Sequence, residues 1–188
     1  MFAFWLFIGS CTQTSDGHNQ YNKSQQIIHI KDKQGNHIVK FVWDNDQTLI
    51  KTDQSTWKKT AGNSRYEANQ NTLLEVQSDG LKITITSKKA TWKIRFLDDT
   101  MHVEPQKNVQ DLAYQVVQKQ TDKFWVYHAG HEVGKTKIKN SIIDVDGFGI
   151  DLKIPAQTNS YAYALLMMYD VPETIRFTLM AELLAKGL

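Results

Sequence analysis

The chain has 188 residues, 22% of them charged, and a formal net charge of +2. That length suits one domain with a buried core, and lysines scattered along the chain rather than gathered into a stripe point away from a nucleic-acid-binding surface. Cys11 is the only cysteine in the sequence, which leaves no pair for an internal disulfide.

The chain opens MFAFWLFIGSCTQTSDGHNQYNKSQQ, with no charged side chain in residues 1–10 and a polar composition after Cys11. So short a run falls well below the ~20 residues that span a bilayer. Its length and abrupt end fit the apolar core of a secretory signal peptide. Ile8-Gly9-Ser10-Cys11 resembles the bacterial lipobox: an aliphatic residue, two small ones, then the cysteine. The resemblance implies cleavage after residue 10 and lipid attachment at Cys11. Acyl chains contribute ~0.8 kcal/mol per buried CH₂, so several on one residue make a durable membrane anchor. Residues 11–26 then read as a lipidated, flexible tether, polar and poor in hydrophobics. No Lys or Arg precedes the apolar run, whereas a signal normally starts positive, so Met1 reads as an internal start. Thr12, in place of Asp after the cysteine, implies the periplasmic face of the outer membrane by analogy with enterobacterial sorting. The alternative is an apolar first strand with Cys11 as a small buried hydrophobe.

From Ile27 to Leu152 the apolar period is near two, broken by turn residues. IIHIKDKQGNHIVKFVW predicts a hairpin turning at Asp32–Asn36, and LLEVQSDGLKITITS another around Asp79-Gly80. TWKIRFLDDTMHVE places Trp92, Ile94 and Phe96 on one face, with Lys93 and Arg95 on the other. AYQVVQKQTDKFWVYHAGHEVGKTKI holds turns at Gln120–Lys123 and His128–Gly130, and SIIDVDGFGIDLKI turns at Asp146-Gly147. About ten short strands are expected, spaced as in a meander or barrel, with no linker between them.

Three motifs in this region mimic chemistry. Ala129–Thr136, AGHEVGKT, matches a relaxed phosphate-binding loop, but the KTKIKNSIIDV that follows alternates like a strand, and such a loop needs a helix there. His128, His131 and Glu132 lack the i, i+4 helical spacing of zinc ligands. Asp144–Gly147 starts like a calcium loop without its remaining ligands. No nucleophile elbow, cysteine nucleophile or carboxylate pair stands out. No metal, cofactor or catalytic residue is therefore assigned.

The tail, SYAYALLMMYDVPETIRFTLMAELLAKGL, predicts an apolar strand over Tyr161–Tyr169 and then a helix over about 171–186. Asp170 and Glu173 fit a capping box, Pro172 the first turn, and Gly187 the stop. Ile175, Phe177, Leu179, Met180, Leu183 and Leu184 cover about 200° of the helix, wider than a surface helix needs. At ~24 Å, with Arg176 and Glu182 inside it, the helix does not suit a membrane span. An encircling sheet suits it better, because a barrel of ten to twelve strands is too wide for its own side chains to fill.

YAYALLMMYD leading into VPETIRFTLMAELLA, with the upstream IKDKQGNHIVKF and FWVYHAGHEVGKTKI, resembles the tubby C-terminal-like superfamily, which includes the LURP-one-related proteins and phospholipid scramblases. The resemblance covers about residues 27–188. It implies one mainly β domain, a closed antiparallel β-barrel of about twelve strands enclosing the hydrophobic C-terminal helix. Fold does not determine function, and no lipid-binding residue carries over. The first functional expectation is a non-enzymatic, lipid-anchored lipoprotein of the bacterial cell envelope whose barrel binds a protein, lipid headgroup or glycan. The second is a lipid-handling protein with the helix as a movable plug. A hydrolase with an unrecognised site ranks third.

Overall fold

A computed structural model describes residues 26–69, 71–107, 112–156 and 159–188. The expected signal segment, Cys11 and all of the tether except Gln26 lie outside these residues, and Gln26 itself begins the first strand.

Among the described residues the alternating stretches form fourteen strands: β1 Gln26–Lys31, β2 His37–Trp43, β3 Gln47–Lys51, β4 Thr56–Thr60, β5 Arg65–Ala68, β6 Asn71–Asp79, β7 Lys82–Ser87, β8 Thr91–Leu97, β9 Thr100–Pro105, β10 Tyr114–Gln120, β11 Lys123–His128, β12 His131–Lys139, β13 Ile142–Gly147 and β14 Ile150–Pro155. They form a single antiparallel meander, each strand hydrogen-bonded to its neighbours in chain order. β1 and β14 come into contact, so the sheet is a nearly closed barrel. Among the described residues no hydrogen-bonded ladder joins β1 to β14, so their outer edges meet at the seam unpaired with each other.

Side-chain alternation decides which face is inner. On β8, Trp92 and Ile94 are buried while Arg95 is exposed, as the spacing predicts. The same alternation buries Val39 and Phe41 on β2, Ile83 and Ile85 on β7, and Ile143 and Val145 on β13, all in one continuous core.

The count differs from the expected twelve. β3, β4 and β5 are four or five residues long and rich in polar or charged residues. Each buries only one side chain fully: Ile50, Trp57 or Tyr66. Strands that short leave little periodic signal. Two turns also shift by a residue or two. Asp79 pairs with Lys82, so the loop is Gly80-Leu81 rather than Asp79-Gly80. Gly147 pairs with Ile150, which moves the last loop to Phe148-Gly149, both at positive φ.

The tail departs further. Tyr161–Met167 is a 3₁₀ helix, not a strand, and all seven of its residues are buried. A strand buried on every side needs ladder partners on both edges, and β1–β14 already pair among themselves. A 3₁₀ turn satisfies its own backbone, which suits an apolar surrounding. Ser160 caps it, accepting from the Ala162 N–H at 3.0 Å. The helix α1 runs Glu173–Ala185, two residues later at its start than expected, with Pro172 as N-cap and no capping box. Its C-terminus does behave as the sequence predicts. Gly187 sits at φ +73°, its N–H bonds Leu184 O at 3.1 Å, and the Leu188 N–H bonds Leu183 O at 3.0 Å. This 6→1 and 5→2 pairing is the Schellman stop, and its left-handed residue favours glycine. α1 packs on the 3₁₀ segment, β3 and β7. Among the described residues no helix is long and apolar enough to cross a membrane, a statement about helices and not about strands.

Candidate functional site

Two groups of polar side chains meet the apolar tail. The first lies along α1. Thr178 and Glu182, one helical turn apart, face β4 and β5. The Trp57 indole N–H donates to Thr178 Oγ1 at 2.9 Å, and the Tyr66 hydroxyl donates to Glu182 Oε1 at 2.8 Å. Lys59 Nζ forms an ion pair with the same carboxylate oxygen, and both side chains are largely buried, at 19% and 11% exposed. Every partner is a side chain pointing inward from a strand, so the seam sets the rotation and height of the helix against the sheet. Burying a polar group without a partner is costly, and a fully satisfied network specifies one arrangement.

Burial drives the Tyr66 phenol far above its ordinary pKa of 10.0, and the Glu182 charge and hydrogen bond push the same way. The consequence appears at alkaline pH. Above pH ~10 a tyrosine of the unfolded chain gives up its proton while folded Tyr66 keeps it, so the unfolded state gains and stability falls. Below that pH the contribution is complete. The expected loss from Tyr66 is about 1.4 kcal/mol per pH unit. It is measured by denaturant unfolding from about pH 9 to about 11, where Tyr66→Phe is expected to flatten the decline.

The second group gathers where the chain enters α1. Asp170, expected as the helix cap, instead accepts from the Tyr114 hydroxyl at 2.8 Å. His128 Nε2 stands 3.6 Å from the same carboxylate oxygen, beyond hydrogen-bond reach, and although buried it has no other partner among the described residues. The Tyr114 ring stacks on His128 at 4.2 Å, and burial together with Asp170 raises its phenol pKa. One turn into α1, the Arg176 guanidinium lies over the Phe177 and Tyr169 rings, 5.1 and 5.5 Å from their centroids. Beside it opens a cavity of about 410 Å³ between α1 and the β1–β2 and β13–β14 turns, with walls that include Ile38, Ile150, Leu152 and Leu166. Lys33 and Asp151 pair with each other among its lining residues.

The sequence-marked residues fall elsewhere, or only at the margin of this region. Ala129-Gly130 is a two-residue hairpin loop and His131–Lys139 is β12, so the phosphate-loop resemblance has no helix behind it. His131 is exposed and pairs in register with His128. Asp144 and Asp146 stand on β13, each 3.9 Å from a lysine, Lys153 and Lys135 respectively. Cys11 lies outside the described residues. No cluster of three or more metal-ligating side chains occurs among the described residues. Sequence reasoning read Arg176 and Glu182 only as charges that spoil a membrane span. A lone Arg within an apolar helix was the available signal for this region, since a long apolar helix face that keeps an Arg must place it somewhere specific. Comparison with family models, curated proteins and solved structures finds no match to this chain.

Proposed function

We propose that the protein is a non-enzymatic lipoprotein of the bacterial cell envelope, anchored through Cys11 at the periplasmic face of the outer membrane, whose barrel is a binding module built around α1 as a fixed core. The observation that carries the fixed-core reading is the Trp57–Thr178, Tyr66–Glu182 and Lys59–Glu182 seam. Withdrawing the helix as a plug would strand Lys59 and break a largely buried ion pair, a change that costs about 3–5 kcal/mol when one partner is removed. A sheet wrapped around a terminal helix is also what the tubby-like resemblance implies. For a ligand, the rim cavity beside Arg176 is the natural place, because it needs no movement of α1.

Anchorage has a direct test. Wild-type protein is expected in the membrane fraction and released by detergent, with Cys11→Ser appearing in the soluble periplasmic fraction. A Cys11→Ser protein that still sediments with membranes, or a wild-type mass without acyl chains, would refute the anchor.

A further inference from the structure

We propose that the rim cavity binds an anionic amphiphile carrying one acyl or alkyl chain, its carboxylate or phosphate head against Arg176 and its chain along the apolar wall. This rests on the binding-module reading and names the ligand class for it.

Charge accounting within the cavity comes first. Of the acidic side chains lining it, Asp32 accepts both the backbone and side-chain N–H groups of Asn36 at 2.7 Å. Asp151 is taken by Lys33. Arg176 is the lining cation without an ion-pair partner: among the described residues no carboxylate lies within ion-pair distance of it, and Asp32, hydrogen-bonded to Asn36, likewise has no ion-pair partner. Its hydrogen bonding is also incomplete. Among the described residues Nη1 reaches only the Met168 carbonyl, at 3.4 Å, and the buried Nε atom has no acceptor. Burial works against the guanidinium's charge, and the Glu173 carboxylate only partly opposes this. A half-buried guanidinium whose terminal nitrogens are so little used can accept an oxyanion on them.

Much of the rest of the lining is apolar. Ile38, Ile150, Leu152, Leu166 and Phe177 give the cavity an apolar wall. Its volume of about 410 Å³ greatly exceeds a phosphate or carboxylate group and falls in the usual range of small-molecule pockets. A guanidinium without an ion-pair partner, set beside an apolar wall, matches a charged head joined to a short hydrocarbon chain.

The test is titration calorimetry of the full chain with octanoate, octyl phosphate, octanol and inorganic phosphate, together with the Arg176 Nε–Hε resonance by NMR. Octanoate or octyl phosphate is expected to bind once per chain and shift that resonance, whereas octanol and inorganic phosphate bind at least about tenfold more weakly. Arg176→Met, which keeps the aliphatic stem, is expected to remove the preference for the charged head. Ile38→Trp, which fills the wall and leaves Arg176 in place, is expected to weaken octanoate and octyl phosphate by a similar factor, and it keeps the test open if Arg176→Met does not fold. Octanol binding as tightly as octanoate would overturn the role of Arg176. Inorganic phosphate binding as tightly as octyl phosphate would make the cavity a free-anion site and overturn the amphiphile. Absence of saturable binding by any octyl ligand would overturn the proposal while leaving the Cys11 anchor, tested separately, untouched.

Discussion

A chain truncated after Asp170 is expected to lose its cooperative unfolding transition. Ile175, Phe177, Leu179, Met180 and Leu183 are each at most 2% exposed. Full burial of such side chains contributes about 1.5–3 kcal/mol apiece, together on the order of 10 kcal/mol. That equals the whole net stability of an ordinary domain, about 5–15 kcal/mol. The loss is worse than the sum, because the strands contribute inward groups that α1 satisfies. Trp57 loses its acceptor, Tyr66 loses Glu182, and Lys59 keeps a charge with nothing opposite it. Phe41, which meets Phe177 edge-to-face at 6.4 Å, faces a void. The measurement is a urea titration followed by near-ultraviolet circular dichroism. Retention of a sharp transition at the wild-type midpoint would show that the strands make their own core and that α1 is an accessory.

The fold was legible wherever burial is one-sided and strands are long. β7, β8 and β13 alternate clearly, and the β6–β7 and β13–β14 hairpins are legible although their turns lie a residue or two beyond the predicted positions. β3–β5 are not, because four or five polar-rich residues with one inward anchor carry no measurable period. Tyr161–Met167 misled for the opposite reason. Residues buried on every side have no periodicity, so strand and 3₁₀ helix look alike in sequence. Asp170 and Glu173 satisfied the spacing of a capping box, yet tertiary contact with Tyr114 claimed the aspartate. Local chemistry gave the candidate cap, and a partner 56 residues away in sequence decided otherwise. The cavity beside Arg176 was beyond sequence reasoning altogether, since its walls come from the two ends of the barrel and from the helix.

A single methyl group at Gly134 is expected to be costly. It pairs in register with Gly147 across β12 and β13. A Cβ at Gly134 would stand 2.5 Å from Met167 Sδ, 2.6 Å from the Asp146 carbonyl oxygen and 2.8 Å from Gly147 Cα. A Cβ at Gly147 would lie 2.5 Å from Gly134 Cα and 2.9 Å from the same sulfur, with the Val133 carbonyl closer still. The two glycines therefore let the 3₁₀ segment sit directly on the backbone of the sheet. Methionine is adaptable, and its sulfur end moves at modest cost. The Asp146 carbonyl and Gly147 Cα belong to the ladder and cannot yield without spreading β12 from β13. Overpacking of this kind costs about 1–3 kcal/mol, and backbone contacts put Gly134→Ala at the upper end. Gly134→Val is expected not to fold. Replacing Met167 with Ala removes one of the three collisions, so the double variant Gly134→Ala/Met167→Ala should lie above the sum of the single losses without regaining wild-type stability. Denaturant midpoints for the four proteins of this cycle decide it. Strict additivity would mean that Gly134 and Met167 do not touch, and the close seat of the 3₁₀ segment on β12 and β13 would have to be given up.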